Sequence, residues 1–450
     1  MARSSSSNMR GRAADIAGPR MMFIVCLAAL LLIGLVMVYS ASSLSDVASG
    51  GNGATNLIKQ AVFAFLGLFV LFVLWKVLPL SMWRTPILWI VFAVCFAFIV
   101  LVAVAGTEVN GARRWIDLGV TTFQPSEFCK ISLVLVMACL AAHWRESRES
   151  LIVYTVKVLV LVGVPTLFIF LFQSDLGTAV IIAVGVFAVL WFDELPLPIV
   201  VFLFAAAVVL LIFFIFGSSY RSSRLLCYDP WNDGAGGLGD GYQFVHSYYA
   251  FAQGGIFGVG LGNSSEKFLY LPMADTDFIF SVIGEELGMV GCLVVMALFI
   301  GLLVSGLRIA RSASSHFAML VAASCTVMLV FQAFLNMGCA MGAFPSTGKP
   351  LPFISYGGSS MVASLILAGL VLQVSEDSSA DTVHDRRRDN LRVVRVDDGR
   401  VPTYARRTYS DGGRSGLSPA AEQRRGASGF GGGSYGFGES RGSGIVGRRR

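Results

Sequence analysis

The chain has 450 residues, of which 55% are hydrophobic and only 14% are charged, and its mean hydropathy is +0.71. Soluble domains carry about 25% charged residues, so this composition excludes an ordinary soluble domain and indicates a polytopic membrane protein. The formal net charge is +6, and the basic excess lies at the two ends of the chain. Residues 376–450 hold fifteen Arg against ten acidic residues, and residues 1–20 hold four Arg against one Asp.

The first apolar segment, residues 21–41, is long enough to cross a hydrocarbon core of about 30 Å. A signal peptide is the alternative, because Ser40-Ala41-Ser42 resembles a cleavage site, but the apolar run is longer than a typical signal sequence core. Nine further apolar segments follow, at 60–79, 86–105, 127–143, 152–173, 176–193, 196–218, 278–305, 316–343 and 356–374. We therefore predict an all-α polytopic fold of about ten transmembrane helices.

The arginines between the predicted spans indicate the orientation of the chain. Three connections carry Arg, namely those with Arg84, with Arg145 and Arg148, and with Arg308 and Arg311. Positive residues favour the cytoplasmic side, and an even number of spans returns the C-terminus to the side of the N-terminus. We predict that both termini are cytoplasmic and that the loops 106–126, 219–277 and 344–355 face outward.

The predicted membrane domain covers residues 21–375 and lies between a basic arm, 1–20, and a tail, 376–450. The tail is rich in Arg, Gly and Ser with few large apolar residues, which predicts a disordered cytoplasmic segment. Such a tail favours anionic lipid or an acidic partner, and we do not expect nucleic acid as a partner. The outer loop 219–277 alternates aromatic, Gly and charged residues, which predicts a structured and functional loop.

The eight cysteines show no CxxC spacing and the four histidines are scattered singly. We therefore predict neither a disulfide framework nor a histidine-ligated metal site. No organic cofactor is expected.

The first outer motif is GARRWIDLGVTTFQPSEFCK, residues 111–130. Arg113 and Arg114 are suited to a pyrophosphate, and Trp115 to the membrane interface or to the face of a sugar or lipid. Ser126 is a candidate cap for the helix that begins near Pro125. We expect Lys130 just inside the membrane with Asp277 as its anion. Snorkelling of Lys130 to the headgroups is the alternative.

The second motif, LPMADTDFIFSVIGEELG at 271–288, places carboxylates at the membrane edge and about two turns into an apolar segment. Acids in such a position are candidates for function. The alternative for Asp275 or Asp277 is a helix cap. Glu285 and Glu286 lie about 12–14 Å further along a helix than Asp277. We interpret them as buried structural acids with partners on other helices.

The third motif, FPSTGKPLPFISYGGSS at 344–360, places three prolines and three glycines around Lys349, Ser355 and Tyr356. This density of Pro and Gly favours a rigid loop, in one interpretation a re-entrant one. The three motifs together suit a substrate with sugar hydroxyls, a pyrophosphate and a lipid tail. The residues alone leave enzyme, transporter and receptor open.

Six motifs in order resemble the SEDS family, the group of FtsW, RodA and SpoVE, over about residues 20–375. They are GARRWI-LG---FQPSE--K, QSDLGTA (173–179), GYQ (241–243), GLGNS-EK (260–267), LP---TDFIF--IGEELG and TG-PLPFISYGGSS. Met273, Asp275 and Ser174 depart from the common family pattern. IGEELG and the long polar tails resemble the cell-division branch more than the elongation branch.

The resemblance implies a ten-helix peptidoglycan glycosyltransferase that polymerises lipid II at the outer face of the membrane, for septal synthesis in cell division. It implies that Asp277 is essential and that Trp115, Glu127 and Lys130 lie on motif positions. It also implies a class B penicillin-binding transpeptidase and other divisome proteins as partners, and a place at the division septum. Substrate-binding candidates are Arg113, Arg114, Trp115, Gln243, Lys267, Lys349 and Ser355.

Our hypothesis is that Asp277, supported by Lys130 and Glu127, is the general base. A divalent cation, Mg or Mn, bound by Asp277 is the alternative, because one carboxylate does not readily serve as both a bare base and a metal ligand, and the sequence leaves the two roles open. The alternatives are a polymerase of the elongation branch, a lipid II flippase, and a non-catalytic scaffold. A flippase predicts ionisable residues spread through the depth of several helices, whereas the polar motifs here concentrate on the outer face.

Overall fold

The structure is a computed structural model that describes residues 5–390, apart from gaps at 49, 51, 110–111, 118, 120, 148, 196–199, 202, 204, 206–226 and 269. Most of the predicted span 196–218 and the tail beyond 390 lie outside the described residues. The helices are α1 (Ser5–Ala48), α2 (Thr55–Lys76), α3 (Pro86–Ala105), α4 (Pro125–Ser147), α5 (Leu151–Val158), α6 (Val164–Phe172), α7 (Leu176–Phe192), α8 (Tyr242–Gly254), α9 (Ile279–Glu286), α10 (Gly288–Arg311), α11 (His316–Ala340) and α12 (Gly358–Asn390).

The predicted polytopic helical fold is confirmed for the described part of the chain. Eight helices there are long and apolar enough to cross a membrane when α5 and α6 are taken as one span, and α7 is a shorter apolar helix. Several helices begin with a polar cap. Thr85, Ser150 and Ser315 each accept a hydrogen bond from a backbone N–H in the first turn of α3, α5 and α11. These bonds satisfy donors that the helix itself cannot pair.

The predicted span 152–173 is interrupted by a π-helical segment, Leu159–Gly163, between α5 and α6. Pro165 follows at the start of α6. Proline has no N–H to donate to the carbonyl four residues earlier and its ring crowds that carbonyl, so the preceding turn widens. One kinked helix therefore replaces the straight span that hydropathy predicts.

The predicted span 278–305 is also broken, between α9 and α10. Gly288 has φ +67, a backbone conformation that favours glycine. The outer loop pairs with both sides of the break. Val259 and Gly260 donate to the carbonyls of Glu285 and Glu286, and Met289 and Val290 donate to those of Gly255 and Ile256.

The outer loop after α3 forms a small antiparallel sheet, which the all-α prediction did not include. Its strands are β1 (Thr107–Val109), β2 (Ala112–Asp117) and β3 (Thr122–Phe123), with β2 in the centre. Thr107 pairs with Trp115, and Ile116 pairs with Phe123. The sheet positions Arg113, Arg114 and Trp115 beside the start of α4.

The spans differ in burial. Helices α4, α11 and α12 are mostly buried in the protein, whereas α3 and the α5–α6 span are mostly exposed. The helices with the polar outer motifs are thus the central ones, because their charges need protein partners and cannot face lipid.

Helix continues beyond the predicted membrane domain at both ends. Helix α1 begins at Ser5, within the predicted arm, and α12 runs on to Asn390, while the tail beyond 390 lies outside the described residues. The carboxylate of Glu376 explains this order at the start of the tail. It accepts hydrogen bonds from Arg20 (2.7 Å), Lys76 (2.9 Å) and the indole of Trp75 (3.2 Å).

Candidate active site

Asp277 lies in the turn that precedes α9, and its side chain is partly exposed. The N-cap of α9 is Phe278, without a side-chain bond, so Asp277 does not cap this helix. Its Oδ2 lies beside Gly348, 3.8 Å from the position that a Cβ would take there. Since Gly348 has φ +64 and no side chain, it brings backbone close to the carboxylate without covering it.

Asn336 joins the second and third outer motifs. Its Nδ2 donates to the carbonyl oxygen of Asp277 at 2.9 Å and to that of Lys349 at 2.8 Å. The side chain is buried near the outer end of α11. The sequence analysis missed this residue, although an amide within an apolar run was a signal for it.

The loop between α11 and α12 descends below the outer ends of the neighbouring helices, which agrees with the re-entrant interpretation. The amide of Gln60, about 8 Å from the start of α2, donates to the carbonyl of Ser355 at 2.9 Å. The Ser355 hydroxyl accepts from the N–H of Leu351 (2.8 Å) and donates to the carbonyl of Thr276 (2.5 Å). Ser355, predicted to bind substrate, therefore fastens this loop to the segment before Asp277.

Two buried acids and two buried lysines form a cluster of ion pairs that joins α4, the start of α7 and the loop before α12. Lys130 Nζ contacts Glu127 at 2.6 Å and Gln332 at 2.7 Å. Lys349 Nζ contacts Asp175 at 2.9 Å and Glu127 at 3.3 Å. The formal charges balance, and all four side chains are buried, which is the arrangement in which charges inside a protein are tolerated.

The structure corrects three expectations here. The anion against Lys130 is Glu127, one turn earlier on α4, whereas we had expected Asp277. Snorkelling is also wrong, because Lys130 is fully buried. Ser126 does not act as the cap of α4. It lies inside the helix and donates to Asp175 Oδ2 at 3.3 Å.

Asp175 and Gln332 were missed as members of this cluster. Asp175 stands in the QSDLGTA motif and caps α7 by accepting from the N–H of Thr178. Burial acts to raise the pKa of Asp175, but the cations of Lys349 and Arg114 outweigh it and hold the pKa below its usual range. Burial likewise acts to lower the pKa of Lys349, and the carboxylates of Asp175 and Glu127 raise it above its usual value.

The two arginines predicted to bind pyrophosphate both contact backbone carbonyls. Arg114 donates to the carbonyls of Gln173 (2.9 Å) and Ser174 (2.6 Å), and its guanidinium lies 5.9 Å from the ring of Trp115. Arg113 is exposed and donates to Val104 at 3.2 Å. Arg114 thus links β2 to the start of α7, and Arg113 stays open to solvent at the same face.

Lys267 and the paired glutamates form a second buried cluster, at the junction of the outer loop with α1. Lys267 Nζ contacts Glu286 at 2.8 Å and the hydroxyl of Ser40 at 3.1 Å. Glu285 accepts from the side chains of Ser264 and Ser265, and also from backbone N–H groups of the outer loop. The glutamates are structural, as predicted, but most of their partners come from this loop and only Ser40 from another span.

Gln243, predicted to bind substrate, lies on α8 and is partly buried.

The donor set around Asp277 limits the kind of cation that could bind there. Among the described residues, no three His, Cys, Asp or Glu side chains form a group that could hold a metal ion. Mg²⁺ often takes one or two carboxylates together with phosphate oxygens of a substrate. The residues therefore fit only a cation that the substrate helps to bind.

The family model described as "Cell cycle protein", that of FtsW, RodA and SpoVE, matches residues 20–380. The chain is 37% identical over 350 residues to a probable peptidoglycan glycosyltransferase FtsW of Synechocystis sp., covering 77% of this chain and 86% of that protein. It is 34% identical over 367 residues to stage V sporulation protein E of Bacillus subtilis, covering 80% and 98%.

Two solved structures share the fold. A chain from a study of how a peptidoglycan synthase complex coordinates polymerization and crosslinking matches with a TM-score of 0.63 and 30% identity, covering 79% of this chain and 97% of that one. The rod shape-determining protein RodA of Thermus thermophilus matches with a TM-score of 0.57 and 28% identity, covering 79% and 96%.

Proposed function

Because the chain belongs to the FtsW, RodA and SpoVE family of cell cycle proteins, we propose that it is a peptidoglycan glycosyltransferase of the cell membrane. It polymerises lipid II, the undecaprenyl-pyrophosphate-linked precursor, into glycan strands at the outer face. The observation that carries this function is the partly exposed carboxylate of Asp277, held at the outer end of the helices beside a rigid re-entrant loop.

Asp277 is the general base of the reaction. Its carboxylate accepts the proton of the attacking sugar 4-hydroxyl as that oxygen displaces undecaprenyl pyrophosphate from the donor glycan. A positioned base of this kind contributes about 10²- to 10⁴-fold to the rate. Asn336 fixes the backbone of Asp277 against that of Lys349, so the base and the re-entrant loop keep their relative position.

The buried lysines and acids support this site indirectly. Lys130, Glu127, Asp175 and Lys349 neutralise one another and connect α4, α7 and the re-entrant loop. Arg113, which is exposed and pairs with Glu108 at 3.5 Å, is the cation at this face for the pyrophosphate, and Arg114 lies next to it on β2. If Asp277 instead held a Mg or Mn ion together with the pyrophosphate, the ion would neutralise the leaving group and Asp277 would not be the bare base.

The distribution of ionisable residues favours polymerisation over lipid II translocation. Within the described residues, the buried charged side chains lie near the helix ends, as with Lys130 near the start of α4 and Asp193 just after α7. A flippase would need them along the depth of several helices. A non-catalytic scaffold would not need the partly exposed carboxylate of Asp277.

For the biological setting we propose septal synthesis in cell division, with a class B transpeptidase and other divisome proteins as partners. The relatives named FtsW support the division role, and the likeness to a chain of a peptidoglycan synthase complex supports the transpeptidase. The protein lies in the inner membrane with both termini cytoplasmic. Midcell localisation of a fluorescent fusion supports division, and localisation along the side wall supports elongation instead.

The decisive experiment is reconstitution of the purified protein with lipid II, with and without a class B transpeptidase. We expect wild-type protein to form glycan strands and Asp277→Ala to form none. Asp240→Ala, which removes an exposed acid of the same outer loop, is the control and keeps wild-type activity. Strands made by a normally folded Asp277→Ala sample would show that the assignment is wrong. Translocation of lipid II without polymer would favour the flippase.

A further inference from the structure

A cavity of about 370 Å³ lies at the end of the bundle opposite to the candidate active site. It is bounded by the turn before α3, the last turns of α4, and the α5–π segment. His143, on its wall, lies thirteen residues beyond Lys130 on α4, which is about 20 Å along the helix. In the orientation proposed above, this is the cytoplasmic end.

The lining of the cavity combines basic and apolar side chains. Arg84, His143 and Lys157 supply the basic groups, and Trp89, Leu140 and Leu161 are among the apolar ones. Basic pockets between transmembrane helices on the cytoplasmic side are typical sites for lipid headgroups. The apolar wall adds a surface for an acyl chain, which a soluble phosphate compound would not need.

Acidic side chains adjoin every basic group of the cavity. Arg84 contacts Glu146 at 2.5 Å, and Glu149 contacts Lys157 at 2.8 Å and His143 at 3.6 Å. A purely anionic headgroup would therefore meet two carboxylates as well as the cations. A headgroup that carries both a phosphate and an ammonium matches both signs.

We propose that this cavity binds one glycerophospholipid with a phosphoethanolamine headgroup, from the inner leaflet. The phosphate lies by Arg84 and Lys157, and the primary ammonium donates hydrogen bonds to Glu146 or Glu149. An acyl chain covers Leu140 and Leu161. The ion pairs present now are half-exposed and hence weak, so the headgroup can replace them.

This lipid would compensate for sparse protein packing. Helix α3 and the α5–α6 span are among the least buried of the described spans, and the cavity lies between them and α4. A bound lipid would join these spans and stabilise the kink at the π segment. This role is independent of the polymerase activity.

The test is lipid binding to the purified, delipidated full-length protein, followed by native mass spectrometry and thermal unfolding. The added lipids are phosphatidylethanolamine, phosphatidylcholine and phosphatidylglycerol, and soluble glycerophosphoethanolamine is a fourth arm. We expect phosphatidylethanolamine to bind about tenfold more tightly than the other two lipids and to raise the Tm. That ratio corresponds to about 1.4 kcal/mol. Phosphatidylcholine tests the ammonium, because its quaternary nitrogen cannot donate a hydrogen bond.

Two variants and a matched control complete the experiment. Lys157→Gln should weaken phosphatidylethanolamine binding about tenfold. Glu149→Gln should abolish the preference for phosphatidylethanolamine and increase the affinity for phosphatidylglycerol, a change of selectivity that a folding defect would not produce. Lys76→Gln is the control, since Lys76 has the same 37% side-chain exposure as Lys157 and pairs with a glutamate at 2.9 Å outside the cavity.

Several results would overturn the proposal. Equal or tighter binding of phosphatidylglycerol to the wild-type protein would make the cavity an anionic-lipid site. Glycerophosphoethanolamine that binds as well as the lipid would point to a soluble phosphate ester. A loss in Lys76→Gln as large as that in Lys157→Gln would show that binding is not specific to the cavity.

Discussion

Asn336 holds two carbonyl groups that belong to different motifs, those of Asp277 and Lys349. These motifs are separated by about seventy residues in sequence, yet one side-chain amide fixes their distance. A displacement of a reacting group by about 1 Å can cost about 10²-fold in rate. The position of the proposed base therefore depends on a residue that touches no substrate.

We predict that Asn336→Ala lowers kcat of glycan polymerisation by about 10- to 100-fold and changes KM less. Two buried carbonyls lose their donor, so the free energy of unfolding should fall by about 1–3 kcal/mol as well. Steady-state kinetics with lipid II and thermal unfolding in detergent measure the two effects. Asn263→Ala is the control, because that exposed amide also donates to a backbone carbonyl, at 3.2 Å. Wild-type kcat in a folded Asn336→Ala sample would contradict the positioning role.

Asp275 lies two residues from Asp277 but in a different environment. Burial raises the pKa of its carboxyl, and the nearby charge of Asp46 adds to the rise. When folding raises the pKa of an acid, the protein loses stability as the pH increases from the unfolded pKa of that acid, about 3.9, towards its higher folded pKa. The ionised carboxylate of Asp275 therefore destabilises the folded protein at neutral pH.

We predict that Asp275→Asn is at least as stable as wild type at pH 7 and that the difference disappears below about pH 4. Thermal unfolding at a series of pH values measures it. The variant should keep polymerase activity, in contrast to Asp277→Ala. A stability loss at pH 7 would show that the Asp275 carboxylate makes favourable contacts that outweigh its burial.

A carboxylate at the edge of an apolar segment is costly, and this local information made Asp277 the predicted catalytic residue. The same local reasoning gave the wrong partner for Lys130, because packing places Glu127 against it. It did not indicate the partner of Lys349, since Asp175 lies 174 residues away in the chain. Gln332 and Asn336 were missed, although an amide within an apolar run was a signal for each.

At the scale of the elements, hydropathy placed the spans but did not reveal where they break. The α9–α10 break depends on Gly288 and on backbone bonds from the outer loop, and neither changes the apolar pattern of 278–305. The break also sets the orientation of α9, which begins directly after Asp277. The geometry of this turn is therefore coupled to the site.

We predict that Gly288→Ala destabilises the protein by clearly more than about 1–2 kcal/mol, the ordinary cost of a positive φ for a non-glycine residue. A Cβ at Gly288 would collide with the backbone of Gly258 and Ile256. Gly255→Ala is the control, since Gly255 in the outer loop also has a positive φ, +54, but open space around it. Thermal unfolding of the two variants separates the cost of a positive φ, which both share, from the cost of the backbone collision, which only Gly288→Ala has. Equal losses would mean that the loop moves aside without cost.

At the scale of the whole molecule, eight of the ten predicted spans correspond, within the described residues, to helices long and apolar enough to cross a membrane, and a ninth corresponds to the shorter apolar helix α7. The outer loop is structured as expected where it is described. The difference in burial between the helices could be predicted, because helices that carry charged motifs need protein partners. The sheet β1–β3 could not, since its strands are short and Arg-containing.

The proposed active site and the proposed lipid cavity both assume the same orientation of the chain in the membrane. This orientation rests on the basic connections at one end of the bundle. We predict that Phe257→Cys, at an 82% exposed site in the outer loop, reacts in intact cells with a membrane-impermeant maleimide. Glu194→Cys, at an 86% exposed site after α7, should react only after permeabilisation. Wild type is the control, because six of its eight cysteines, including Cys227 in the outer loop, are buried. The reverse labelling pattern would place Asp277 in the cytoplasm, away from the glycan strands, and would contradict both proposals together.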